Sequence, residues 1–225
     1  MSTQRKSEIR KEQILRAAER VFAQKGFQEA TISEVAKEAS VSDATIYEYF
    51  STKEELLFSI PGETARRGKE RLEFHLKMVR GAANKLRGII YHYLWFYQSH
   101  PDYAAVAMLI LKQNRKFLET QAYNDVRELS RLILDVIEEG ISSGEFKPDF
   151  NPYMVRAVIL GGIEHMVIRR VLFGKPENLV GFVDQLTDLV CSGITRLEEQ
   201  RRWNLSVTVT PRKEPLNEKA STRNE

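Results

Sequence analysis

The stretch Thr31–Lys53, TISEVAKEASVSDATIYEYFSTK, constrains this chain more than any other. Thr31 precedes an apolar-periodic run and Glu34 stands three residues on, a capping box that opens a short helix. Val35, Ala36 and Ala39 then share one face at 3.6-residue spacing. Ser40-Val41 breaks that helix, and Ser42 is an N-cap for a second one. There Ile46, Tyr49 and Phe50 repeat the i, i+3, i+4 pattern, leaving Asp43, Ala44, Thr45, Tyr47 and Glu48 outward. Thr52 and Glu55 form a further capping box with Lys53 in its first turn. Two short helices on a tight turn, with small Ala36 at their crossing, make a helix-turn-helix, though the pattern alone also admits a plain helical hairpin.

Read as T-I-x-x-V-A-x-x-A-x-V-S-x-x-T-I-Y-x-Y-F-x-x-K-x-x-L, the stretch resembles the DNA-binding signature of the TetR family of bacterial repressors. It departs at Ser40, where the family usually has Gly; Gly reaches a left-handed turn without strain and Ser at modest cost. In a helix-turn-helix the residues at the N-terminus of the second helix, here Ser42, Asp43, Ala44 and Thr45, face base edges. The resemblance implies that Tyr47, Tyr49 and Thr31 contact phosphates. Lys53 adds charge at a helix N-terminus that already favours an anion. For Tyr49 a core role is equally open.

Net charge is only +3, so DNA binding does not follow from overall charge. Residues 1–25 are locally richer, with Arg5, Lys6, Arg10, Lys11, Arg16, Arg20 and Lys25 against Glu8, Glu12 and Glu19. Such an arm can follow phosphates, or be a solvated face laced by i, i+4 pairs. Cys191 stands alone, which excludes an intrachain disulfide and fits a cytoplasmic location. The polar start gives no signal-peptide pattern, and no apolar run approaches the roughly 20 residues of a membrane span.

Along the chain we expect an all-α protein of about nine helices. A helix-turn-helix DNA-binding domain over 1–51 precedes a helical ligand-binding and dimerisation domain over 52–203 and a disordered tail over 204–225. A first helix begins near Ser7, carries Ile14, Leu15, Ala18, Val21 and Phe22, and ends at Gly26. Pro61-Gly62 should interrupt the helix that starts at Thr52. Helices follow over Ala82–Ser99, Pro101–Thr120, Ala122–Ser142, Tyr153–Phe173 and Leu179–Arg202. The Tyr153–Phe173 segment is apolar almost all round and must be covered on several sides, which predicts a homodimer interface built with the last helix.

His75, His92, His100 and His165 show no metal-ligand spacing, and no cofactor motif is present. Nothing pairs a nucleophile with a base, so catalysis is not expected. Aromatic residues from Tyr91 to Tyr97 point in nearly every direction around one helix. We expect Tyr91, Trp95, Phe96, Tyr103 and Met108 to line a cavity rather than only core, with Gln113 and Arg115 near its mouth and Arg115 or Arg169 near a charged ligand group. LILKQNRKFL, EEGISSGEFKPDF and GGIEHMVIRRVLFG resemble TetR-type fatty-acid-degradation regulators, which implies a long-chain acyl-CoA effector. The function so implied is a repressor that binds double-stranded operator DNA as a dimer and is released by a hydrophobic ligand. Another lipophilic or aromatic effector is an alternative. A helical small-molecule binder without DNA function is the competing class, and it would not shift promoter DNA in a gel.

Overall fold

The computed structural model describes residues 3–196. Its helices are α1 (Thr3–Glu29), α2 (Ile32–Ala39), α3 (Asp43–Tyr49), α4 (Lys53–Leu76), α5 (Ala82–Ser99), α6 (Pro101–Ala105), α7 (Gln121–Ser142), α8 (Pro152–Phe173) and α9 (Val183–Ile194). Within the described residues the only β-type pairing is an isolated antiparallel bridge between Phe146 and Thr195. The expected tail over 204–225 lies outside the described residues.

The local signals around the helix-turn-helix act as read. Thr31 Oγ1 accepts from the Glu34 N–H at 3.2 Å and Glu34 accepts from the Thr31 N–H at 3.0 Å. Ser42 Oγ accepts from the Thr45 N–H at 3.1 Å, and Thr52 Oγ1 accepts from the Glu55 N–H, while the Glu55 carboxylate takes the Ser51 N–H instead of completing the expected box on Thr52. Gly26 leaves helical geometry at φ 77° and ψ 167°, closing the long part of α1 where expected, and a short further turn follows with Phe27 against Phe22 at 5.8 Å.

Three expectations need correction. Pro61 does not interrupt α4, which runs through it. The next residue, Gly62, packs closely on α7, where a Cβ would meet the Ala122 Cβ at 3.0 Å, and this tertiary contact holds the helical path across the residue that lacks a donor. Nor is Pro101–Thr120 one helix. After α6 the chain widens into a π turn over Val106–Ile110, tightens to 3-10 over Leu111–Gln113, and breaks at Asn114, whose side chain accepts from the Lys116 N–H. Asn offers the backbone that competing bond, which a helix interior does not. Finally, α9 stops at Ile194 instead of reaching Arg202, because Thr195 turns extended and pairs with Phe146.

Two apolar cores result. One joins α4, α5, α7, α8 and α9 around Ile89, Leu94, Ile133, Ile159 and Ile163. The other holds α1, α2, α3 and the start of α4 around Ile14, Phe22, Val35, Ile46 and Leu57. Tyr103, Val106, Leu111 and Phe117 belong to this second core. The α6 region is thereby packed onto the helix-turn-helix, so a movement of either is felt by the other.

Candidate functional site

The second helix of the helix-turn-helix presents Ala44 and Tyr47 fully to solvent, Tyr47 at 54% exposure, with Thr45 half-buried behind them. Asp43 accepts from the Ser33 hydroxyl, and the Ser42 and Thr45 hydroxyls bond each other at 2.9 Å. Tyr49 is half-buried and its phenol oxygen accepts from Ser7 at 3.2 Å, so its ring packs while its edge reaches the surface. Ser40 takes up the left-handed conformation, φ 54° and ψ 45°, and its N–H closes the end of α2 on Ala36 and Lys37.

Lys53 is more engaged than expected. Its ammonium donates to the carbonyls of Ala30 at 2.8 Å and Gln28 at 3.3 Å and sits 4.6 Å from the Phe27 ring centre. It ties the end of α1 to the start of α4, which leaves one N–H for any further partner. In the basic arm Arg16 pairs with Glu12 and Arg20 with Glu38, while Arg5, Lys6 and Arg10 are exposed on the first turns of α1.

Behind the head lies a cavity of about 1400 Å³ bounded by α1, α4, α5, α6, the π turn, α7 and α8. Tyr91, Trp95, Phe96, Tyr103 and Met108 all line it, as expected. Phe96 stacks on His100 at 4.4 Å and meets Tyr103 edge-on at 5.0 Å, a fixed aromatic wall. Burial pushes the phenols of Tyr93, Tyr97 and Tyr103 above the ordinary range, so they are neutral hydrogen-bonding groups at physiological pH. Burial likewise lowers His92, helped by the charges of His75 and Arg71, which keeps an uncharged imidazole in the wall.

Gln113, Arg115 and Arg169, expected near the mouth or the ligand head group, are not among the residues that line the cavity. Gln113 and Arg115 are exposed on either side of the break at Asn114, which turns the chain off the expected helical face. Arg169 is exposed on α8 and stacks over Phe173 at 5.6 Å. The basic lining comes instead from Arg16, Arg20, Arg67, Arg71, Lys112 and Arg127. Part of this was legible: Thr64, Gly68, Arg71 and His75 recur at helical spacing and lie on the cavity face of α4. Among the described residues no group of three or more His, Cys, Asp or Glu could hold a metal ion. No described helix is long and apolar enough to cross a membrane.

Where α1 meets α4 the lining is charged. Glu12 bonds Arg16 at 2.7 Å and Arg67 at 3.0 Å; Arg67 also bonds Glu63 at 2.9 Å. Glu63 holds Arg66 at 2.7 Å, and Arg66 reaches Asp125 of α7 at 2.6 Å. Hydrogen bonding to Arg16 and Arg67 holds the Glu12 carboxyl below the usual range, and Arg66 does the same to Glu63. Glu19, two turns along α1 from Glu12 in the seam with α6, behaves oppositely: burial raises it to about 7 despite Arg16.

Residues 14–60 match bacterial regulatory proteins of the tetR family, and residues 68–193 match the C-terminal region of YsiA-like proteins. The chain belongs to the TetR family. It is 33% identical over 183 residues to the fatty acid metabolism regulator protein of Bacillus subtilis, covering 81% of this chain and 94% of that one. Among solved TetR-family structures, the transcriptional regulator FadR from Bacillus subtilis in complex with stearoyl-CoA superposes with a TM-score of 0.76 at 30% identity, over 81% of this chain and 98% of that one. The fatty acid degradation regulator FadR from Bacillus halodurans gives 0.77 at 26%, over 82% and 95%. The chain is accordingly a TetR-type transcriptional regulator.

Proposed function

We propose that this TetR-family regulator is a cytoplasmic repressor that binds a palindromic operator as a homodimer and is released by a long-chain acyl-CoA. The observation that carries the effector is the cavity. It is large, walled by aromatic rings and Met108, and edged by arginines at the α1–α4 seam. An acyl chain suits the walls, at about 0.8 kcal/mol per buried methylene, and the phosphates of CoA suit the arginines. The FadR relative solved with stearoyl-CoA supports the same choice.

On the DNA side, Ala44 and Thr45 read base edges, with Ser42 and Asp43 shaping the helix start. Tyr47, Tyr49 and Thr31 meet phosphates from the surface described above, and Lys53 contributes its remaining N–H. Two heads require two copies. α8 and α9 leave Tyr153 (61%), Met154 (64%), Phe173 (67%) and Leu189 (76%) exposed, and a second copy is the natural cover for so much apolar surface. Light scattering should give twice the chain mass, and a stable monomer would remove palindromic recognition.

The test of the effector is titration of acyl-CoAs of increasing length into a fluorescent operator complex. Potency should rise with chain length until the cavity fills. No release at any length, or equal release by free CoA, would exclude acyl-CoA and leave the regulator without its effector.

A further inference from the structure

We infer that Arg67 is shared between two anions it cannot hold fully at once, Glu12 of the DNA-binding head and a phosphate of the bound effector, so that effector binding unclasps the head from α4. This rests on the acyl-CoA reading above and adds the route by which occupancy reaches the head.

The geometry supplies each part. Glu12 and Arg67 both face the cavity, so a ligand in it meets the ion pair directly. The pair crosses the joint between head and body: Glu12 is on α1, Arg67 on α4, and the chain of bonds continues through Glu63 and Arg66 to Asp125 on α7. Glu12 and Arg67 side chains are 33% and 44% exposed, enough for a charged ligand group to reach them without unfolding anything. Glu63 keeps hold of the Arg67 Nε while Nη1 serves Glu12, so the guanidinium can turn its Nη1 edge to a phosphate and remain anchored on α4. Arg16, also in the lining, bonds the same Glu12 oxygen and would be drawn off with it. What the head loses is one charged tie to α4; the Lys53 bonds to Gln28 and Ala30 and the apolar contacts around Leu57, Tyr103 and Val106 remain. A ligand favours the loosened arrangement only by binding it better, and the phosphate–Arg67 contact is that difference.

The test compares two ligands on the full chain without DNA. Palmitoyl-CoA carries the phosphates; palmitoyl-pantetheine keeps the chain and thioester and lacks them. Glu12→Gln should tighten palmitoyl-CoA roughly two- to fivefold, the range open to a half-exposed ion pair. It should leave palmitoyl-pantetheine unchanged, which also reports an intact fold. In an Arg67→Gln background the Glu12→Gln gain should vanish. On the operator complex, Glu12→Gln should be half-released at a correspondingly lower palmitoyl-CoA concentration. Equal tightening of both ligands, or no change for palmitoyl-CoA, overturns the clasp while acyl-CoA stands as effector. Failure of the wild-type chain to bind either ligand removes the effector, and the clasp with it.

Discussion

The Lys53 ammonium donates to the Ala30 carbonyl at 2.8 Å across the joint between α1 and α4. A lysine read from the sequence as a phosphate contact is therefore also a brace, closing carbonyls left open where α1 ends and stacking on Phe27. Lys53→Ala should lower the denaturant midpoint of the protein by the equivalent of about 1–2 kcal/mol, one charged hydrogen bond and one cation–π contact. A variant with unchanged stability and only weakened operator binding would show the brace to be idle and the phosphate role to be the whole of it.

Ser40 sits at φ 54°, where a Cβ is crowded and Gly is not. Ser40→Gly should raise stability by about 0.5–1 kcal/mol while operator sequence preference stays as it was, because the turn geometry is already formed. Thermal melts with parallel gel shifts decide it; a loss of stability would mean that the serine side chain stabilises the turn.

Glu19 titrates near 7 in the seam between α1 and α6, facing Arg16 and Arg20 from its own helix and Asp102 from the other. An acid with a folded-state pKa above its unfolded one contributes stability that is complete below about 4.5 and is lost as pH rises through about 7. Glu19→Gln should accordingly melt with the wild type at pH 4.5 and above it at pH 8, by on the order of 2–3 kcal/mol. Equal melts at both pH values would place Glu19 in water.

Ala107 lies on the π turn and faces the cavity. Ala107→Phe should fill part of the space and move the most potent acyl-CoA to a shorter chain by about three to four methylenes, judged from side-chain size. Operator affinity without ligand should hold. If long chains release the variant as readily as before, the acyl group lies elsewhere.

Much of the head was legible because its signals are local. A capping box, an N-cap and an i, i+3, i+4 stripe each act within one turn, and Thr31, Ser42 and Ile46 are placed as the spacing required. The Ala82–Ser99 helix was equally plain, with five aromatic residues whose scatter around the axis foretold a cavity.

Elsewhere tertiary packing overruled local preference. Pro61 is a helix breaker by its own chemistry, yet α4 continues through it, with the adjoining Gly62 packed on Ala122 of α7. Asn114 bends a segment whose apolar pattern reads as helix, and that bend takes Gln113 and Arg115 off the cavity and leaves Lys112 on it. The sequence by itself determined the helices of the helix-turn-helix, their N-caps and the family to which the chain belongs, since these depend on residues a few positions apart. Only the tertiary structure decided that Glu12 meets Arg67, 55 positions away along the chain, because an ion pair between helices depends on how their faces are brought together and no periodicity records it.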